Sequence, residues 1–305
     1  MTTTDTPSPR FDGVWLPLVT PFRDGRLDEA SFLRLLRHFL EVPVAGFILA
    51  ATTGEGLTLD DDEIERLTTL AAREVAGRVP VLLGLAGSDT RAMVRRLAAT
   101  RSWPLHGYLI SCPSYSRPSQ EGLFRHFAQL AETTERPVLL YNIPYRTSVN
   151  LLNETLFGLV EAHPNICGIK DCGIDPQQSV DLLRFRPKGF SVLTGEDIQF
   201  HGALSNGADG AIAVSAQADS AAFLRVREDL LAGDRVAALA RWRELIDLVR
   251  LLFAEPSPAP IKHWLWRRGL IASPELRLPM TGVTPALAGK LDRLLQARGV
   301  KAVAA

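Results

Sequence analysis

The chain has 305 residues, of which 46% are hydrophobic, and its formal net charge at pH 7 is zero. This length fits one large α/β barrel or two ordinary domains, and the balanced charge, without basic or acidic blocks, gives no sign of nucleic acid or an anionic membrane surface as a partner. The three cysteines, Cys112, Cys167 and Cys172, have no CxxC spacing, which argues against a disulfide framework and a zinc site. No apolar run reaches the length of a membrane span, and residues 1–10 are polar and lack a signal-peptide apolar region. We therefore expect a frayed tail over residues 1–10 of a cytoplasmic protein.

Short apolar strands alternate regularly with amphipathic helices. Strands are predicted at residues 13–21, 46–51, 81–85, 107–112, 137–141, 166–170, 190–194 and 209–214. A helical pattern follows each strand: one capped by Asp28 and carrying Phe32 to Phe39, one with Leu123 to Leu130, one ending near 231, and others at 61–75, 88–100, 153–162, 176–183 and 197–206.

These eight strand–helix units occupy residues 11–232 and predict parallel strands that close into an α/β fold, the (β/α)8 TIM barrel. A doubly wound open sheet is the alternative, but residues 20–22 read Thr-Pro-Phe where such a sheet normally carries a glycine-rich dinucleotide turn. Residues 233–305 contain three helical patterns, which we interpret as a C-terminal helical appendage on the barrel.

Lys170 lies at the end of the sixth predicted strand, directly after the apolar run Ile166 to Ile169. Burial at such a position lowers a lysine pKa from about 10.4 toward roughly 7 or 8, and the free amine can then attack a carbonyl and form a Schiff base. The alternative is a lysine that extends to water or pairs with Asp171.

Other polar residues follow neighbouring strands, at the barrel face where active sites form. Thr52 and Thr53 precede Gly54, and two hydroxyls with the amides of a glycine turn suit a carboxylate, although a helix-capping turn explains them equally well. Tyr141 follows the fifth strand and could transfer a proton, while Arg146 could bind a second carboxylate.

Three further residues in this region are open to a packing explanation. Tyr115 stands in the loop after the fourth strand, Gly195 follows the seventh strand, and Ile212 lies in the eighth. Metal chemistry has little support, because no HExxH or paired ligand cluster is present and the histidines are scattered, with His126 at a position typical of a surface.

Taken together, five ordered motifs resemble the dihydrodipicolinate synthase/N-acetylneuraminate lyase family from about Gly13 to Arg298. They are Thr-Thr-Gly-Glu at 52–55, Tyr-Ser-Arg-Pro-Ser-Gln-Glu-Gly at 115–122, Tyr-Asn-Ile-Pro at 141–144 with Arg-Thr at 146–147, Gly-Ile-Lys at 168–170, and the tail segments at 269–273 and 276–281.

The resemblance implies Schiff-base chemistry on pyruvate through Lys170, with no external cofactor or metal. It implies that Thr52 and Thr53 hold the pyruvate carboxylate and that Thr53, Tyr141 and Tyr115 form a proton relay. Members of the family usually form tetramers built from two dimers, and the residue matching Tyr115 is lent across the dimer interface. Ile212 would line the pyruvate pocket through its backbone, and Gly195 would lie near the second-substrate pocket.

Arg146-Thr147 fits the synthase branch of the family, in which this arginine binds the carboxylate of L-aspartate 4-semialdehyde. The alternatives are another pyruvate-dependent aldolase, lyase or dehydratase acting on a sugar acid or 2-oxo acid, or a barrel that binds a small acid without turnover. The sequence departs from the usual pattern at Tyr145, and a bulky side chain there would reshape the second-substrate pocket. Polar or aromatic groups of lysine-regulated members are missing where Asp61, Ser88, Ala92 and Ser114 align, so we expect no inhibition by lysine at physiological concentrations.

Overall fold

A computed structural model describes residues 10–299 of the chain and shows a closed barrel of eight parallel strands. The strands are β1 Gly13–Pro17, β2 Gly46–Leu49, β3 Val81–Leu85, β4 Gly107–Ser111, β5 Val138–Asn142, β6 Ile166–Asp171, β7 Ser191–Thr194 and β8 Gly210–Ile212. Each strand pairs with its neighbours in sequence, and β8 closes the barrel against β1. The predicted TIM barrel is therefore confirmed.

Helices connect the strands and cover the outside of the barrel. Their bounds are α1 Glu29–Phe39, α2 Asp61–Val75, α3 Thr90–Ala99, α4 Gln120–Glu132, α5 Pro144–Thr147, α6 Asn153–Ala162, α7 Pro176–Phe185, α8 Phe200–Ser205 and α9 Ser220–Leu231. Side-chain caps begin several of them, as at Asp28, which accepts from the Ser31 amide, and at Asp60, which forms a capping box with Glu63. None of the helices within residues 10–299 has the length and apolar character needed to cross a bilayer.

Apolar side chains form two cores, one between strands and helices and one inside the barrel. The inner core holds Trp15, Ile48, Leu82, Leu109, Leu139, Leu193 and Ile212, each at most 2% exposed. Because alternate side chains of a strand point to opposite faces, the same strands also pack outward against the helices. The filled interior fixes the strand ends, from which the polar residues project.

Three helices follow the barrel: α10 Arg235–Leu252, α11 Ala259–Arg267 and α12 Pro285–Ala297. They form the helical appendage expected after residue 232. Of the expected frayed tail, residues 1–9 lie outside the described residues, and the guanidinium of Arg10 contacts the Asp209 carboxylate at 3.1 Å. A small hairpin of Phe22–Arg23 and Arg26–Leu27, which the sequence did not predict, stands between β1 and α1.

Candidate active site

Lys170 is the fifth residue of β6, and its side chain is buried at the end of the strand where helices begin. Desolvation lowers the pKa of its amine, and the nearby Arg146 acts in the same direction. Cys172, Asp197 and Glu196 favour the charged form and oppose this shift. The side chain therefore has the environment of a nucleophilic amine rather than that of a surface cation.

Tyr141 faces this amine from the adjacent strand. The two residues are paired in the β5–β6 register, and the Lys170 Nζ lies 4.3 Å from the centroid of the Tyr141 ring. Burial raises the pKa of the Tyr141 phenol well above its ordinary value, so the hydroxyl keeps its proton at neutral pH. The Sγ of Cys172 lies 4.0 Å from this hydroxyl.

A cavity of about 230 Å³ opens at this end of the barrel. Thr52, Tyr141 and Arg146 all line it, so the structure brings together residues from the ends of β2 and β5 that lie about 90 positions apart. Thr52 and Arg146 are exposed at the rim, whereas Thr53 is buried. A small anionic molecule would fit between the hydroxyl-bearing turn and the guanidinium.

The turn that carries the two threonines is held by hydrogen bonds on both sides. The hydroxyl of Thr20 donates to the Gly54 carbonyl at 2.7 Å, and the Glu55 amide donates to the Thr52 carbonyl at 3.1 Å. A side chain at Gly54 would meet the Leu18 carbonyl at 2.9 Å, so only glycine fits this close approach. These contacts therefore fix the backbone from which the side chains of Thr52 and Thr53 extend.

Gly195 packs directly against the candidate nucleophile. A β-carbon at this position would lie 2.4 Å from Cε of Lys170 and 2.4 Å from Sγ of Cys172, so the glycine leaves the room that the lysine side chain occupies. Ile212 is fully buried in the inner core of the barrel. Gly195 therefore lies against Lys170, whereas Ile212 shares the inner core with Tyr141, and neither residue lines the cavity of Thr52, Tyr141 and Arg146.

Asp197 was not predicted from the sequence as a site residue. Its side chain is buried, with 3% exposure. Its carboxylate accepts from the amide of Val214 at 3.2 Å and from the amide of Ser215. Burial raises the Asp197 pKa to about 6, against the lowering effect of the Ser215 hydrogen bonds. The residue joins the loop after β7 to the loop after β8, a contact between distant segments that no local pattern reveals.

Tyr115 is the one predicted catalytic residue that is not buried. It is 95% exposed, it has a left-handed φ of 69°, and its amide donates to the Thr147 carbonyl at 3.3 Å. Arg146 is exposed nearby, with its guanidinium carbon 5.8 Å from the Tyr145 ring centroid. Within residues 10–299, no group of three or more His, Cys, Asp or Glu side chains is placed to hold a metal ion.

Comparison with known proteins shows similarity along almost the whole chain. Residues 10–298 match the model of the dihydrodipicolinate synthetase family. The chain is 40% identical to 4-hydroxy-tetrahydrodipicolinate synthase 2 of Clostridium acetobutylicum over 94% of its own length and 100% of that protein, and 38% identical to 4-hydroxy-tetrahydrodipicolinate synthase of Salinibacter ruber over 89% and 90%. The crystal structure of dihydrodipicolinate synthase from Aquifex aeolicus superposes with a TM-score of 0.93 at 30% identity and covers 96% of this chain and 100% of that one. The chain belongs to the dihydrodipicolinate synthetase family.

Proposed function

We propose that this enzyme is a 4-hydroxy-tetrahydrodipicolinate synthase, a lyase that condenses pyruvate with L-aspartate 4-semialdehyde in lysine and diaminopimelate biosynthesis. The observation that carries the proposal is the buried amine of Lys170 beside Tyr141, a residue that lines one cavity together with Thr52 and Arg146. The names of the relatives at up to 40% identity support the same reaction.

Lys170 is proposed to be the nucleophile. Its neutral amine attacks the ketone carbon of pyruvate to give a carbinolamine, and loss of water from this carbinolamine gives the imine. Removal of a proton from the pyruvate methyl group then produces an enamine, whose carbon attacks the aldehyde of the second substrate. The imine carries the chemistry itself, so we propose no external cofactor.

Thr52 and Thr53 are proposed to hold the pyruvate carboxylate, with the backbone of Ile212 lining the pyruvate pocket and Gly195 near the pocket of the second substrate. Proton transfer at the carbinolamine needs a hydroxyl that stays protonated, and the raised pKa of Tyr141 supports that role. Thr53 would pass the proton onward to Tyr115. Because Tyr115 is exposed in its own protomer, we propose that a partner protomer receives it, within a homotetramer built from two dimers.

Arg146 is proposed to bind the carboxylate of the semialdehyde. It lines the same cavity as Tyr141, and a guanidinium suits bidentate recognition of a carboxylate. We place the reaction in the cytoplasm, where thiols such as those of Cys112 and Cys172 stay reduced.

The experiment that tests this function has two parts. Reduction with borohydride in the presence of pyruvate should leave a stable adduct that peptide mass spectrometry locates on Lys170, and Lys170→Ala should abolish it. Turnover should then be measured with pyruvate and L-aspartate 4-semialdehyde and, separately, as cleavage of several 2-oxo-3-deoxy sugar acids. An adduct with faster sugar-acid cleavage would favour the lyase alternative, and the absence of an adduct would favour a barrel that binds an acid without turnover.

A further inference from the structure

The turn that carries Thr52 and Thr53 is attached to the C-terminal helical segment through a fully buried ion pair. Glu55 follows the turn directly and adopts a left-handed backbone conformation, with φ 53°. Its carbonyl accepts from both the amide and the hydroxyl of Thr58, at 2.9 Å each. The Glu55 backbone is thus part of the turn, and its side chain points into the protein, where it is 1% exposed.

Lys262 of α11 is the partner of this carboxylate, 207 positions further along the chain. Its side chain is 0% exposed, and its ammonium donates to Oε1 of Glu55 and, at 2.7 Å, to the carbonyl of Glu275. The same nitrogen lies 4.3 Å from the centroid of the Phe22 ring. The second carboxylate oxygen of Glu55 accepts from the amide of Arg277 at 3.0 Å.

Both oxygens of Glu55 are therefore held by the segment that follows the barrel. Arg277 extends this attachment, because its guanidinium binds the two carboxylate oxygens of Glu63 at 2.6 Å each and the Thr58 carbonyl at 2.9 Å. These contacts hold the chain that follows the threonine turn, and the Thr20 hydroxyl holds the turn itself through the Gly54 carbonyl.

A buried ion pair of this kind is a poor source of stability, since the desolvation of two charges offsets most of their attraction. Desolvation lowers the Lys262 pKa to about 8, against the favourable effect of Glu55. The pair instead restricts the turn to one conformation. A buried carboxylate whose two oxygens both accept hydrogen bonds cannot move without leaving a charge unpaired. Geometry matters most at a turn that must present two hydroxyls to one small anion.

We propose that Lys262 and Glu55 are positioning residues that hold Thr52 and Thr53 in place for the pyruvate carboxylate, so that the C-terminal helical segment completes the pyruvate site. This inference rests on the proposed function, because it takes pyruvate as the molecule that the turn binds. Glu55 lines the cavity beside Thr52, whereas Lys262 does not, and the pair acts on the threonines through the backbone of the turn.

The test compares pyruvate half-saturation of the borohydride-trapped adduct in full-length variants. Lys262→Met removes the cation at similar side-chain volume. The double variant Glu55→Gln/Lys262→Met leaves no unpaired charge, so its half-saturation by pyruvate can be measured even where the single variant folds poorly. In both we expect the pyruvate concentration for half-saturation to rise by about tenfold to a hundredfold, by analogy with the roughly 10²-fold loss of reactivity that a 1 Å misplacement of positioned groups can cause. Trapping at saturating pyruvate should still label Lys170.

Arg186→Met is the control, because Arg186 forms an ion pair with the buried Asp209 at the opposite end of the barrel, with side chains 26% and 6% exposed. This variant should lower the melting temperature and leave the half-saturation concentration unchanged. Wild-type half-saturation in the folded Lys262 variants, or an equal rise in Arg186→Met, would overturn the proposal. Failure of both Lys262 variants to fold would assign the pair to folding and overturn it as well. Absence of an adduct in the wild-type protein would instead count against the proposed function itself.

Discussion

At the scale of single residues, one amine and one phenol define the candidate site. Lys170 and Tyr141 are opposite each other in neighbouring strands, and both are at least nine-tenths buried. Burial acts on them in opposite senses: it lowers the pKa of the amine and raises that of the phenol. Each shift favours the neutral form of its group.

Substitution of Tyr141 by Phe tests the phenol. We expect kcat to fall by about 10² to 10⁴, the range of a lost proton-transfer group, with little change in the pyruvate concentration for half-saturation of the trapped adduct. Steady-state kinetics and adduct titration measure the two quantities. Tyr108→Phe is the control, since this buried tyrosine of β4 donates to or accepts from Thr100 at 2.9 Å and is contacted by Arg136 outside the barrel. Unchanged kcat in Tyr141→Phe would remove the phenol from the mechanism.

The pH dependence of adduct formation tests the amine. The rate should rise with pH as Lys170 loses its proton, with a midpoint below 10.5, the ordinary lysine value, because desolvation lowers the pKa in the folded state. The unfolded chain then binds more protons than the folded one between the two pKa values, so this residue makes stability rise with pH in that window. Trapping rates over a pH series measure the midpoint. A midpoint at or above the free-lysine value would show that the amine is not desolvated.

At the scale of elements, the sequence predicts those parts of the barrel whose signals are local. Helix α2 is found at the predicted residues 61–75, because the capping box of Asp60 and Glu63 marks its start. The hairpin at 22–27 was missed because strands of two residues have no alternation to detect. His126 was wrongly expected at the surface: it is 4% exposed and bonded to the Thr90 hydroxyl at 2.9 Å.

The site residues also divide into those with a local signal in the sequence and those without one. Lys170 and Tyr141 could be found from the sequence, because each ends an apolar strand and consecutive strands of a barrel are neighbours. The contacts of Asp197 with the loop after β8, and of Lys262 with Glu55, join segments far apart in the chain. Their pairing depends on tertiary packing, which a single sequence does not encode in any local pattern.

Asp197 gives a prediction at the junction of the β7 and β8 loops. Its folded pKa of about 6 exceeds the ordinary 3.8, so the folded protein binds more protons between these values and the carboxylate makes stability fall as pH rises through that window. The free energy of unfolding of the wild type, relative to Asp197→Asn, should therefore decrease by on the order of 3 kcal/mol from pH 4 to pH 7. Urea denaturation of both proteins at a series of pH values measures this difference, and a pH-independent difference would contradict the prediction.

The residues that align with the lysine-binding positions of regulated family members give a prediction about regulation. The Asp61 carboxylate already lies 3.0 Å from the Arg96 guanidinium, and the Ser88 hydroxyl donates to the Ser114 carbonyl at 2.7 Å. A lysine ammonium would have to displace both contacts, so we expect activity to be unchanged at physiological lysine concentrations. Direct measurement of product, rather than a coupled assay alone, excludes an effect of lysine on the coupling enzyme. Inhibition in the direct assay would show the prediction wrong.

At the scale of the whole molecule, the barrel buries the candidate nucleophile, Lys170, but leaves Tyr115, one member of the proposed proton relay, exposed. Tyr115 projects from the loop between β4 and α4, and Leu57, 80% exposed, lines the cavity of Thr52, Tyr141 and Arg146. A large aromatic side chain held at positive φ and left in water has a conformational cost that packing in its own protomer does not offset. We therefore expect the working unit to be a dimer at least, with each Tyr115 serving the site of its partner.

Mixing two inactive variants tests this exchange. Lys170→Ala lacks the nucleophile and Tyr115→Phe lacks the lent phenol, so each homodimer should be nearly inactive. In a mixed dimer, the protomer that keeps Lys170 receives an intact Tyr115 from its partner, and one of the two sites becomes complete. After subunit exchange of equal amounts, half of the dimers are mixed and activity should recover to about one quarter of the wild-type value. If Tyr115 served its own protomer, no site in any mixture would contain both groups and activity would stay at the level of the separate variants.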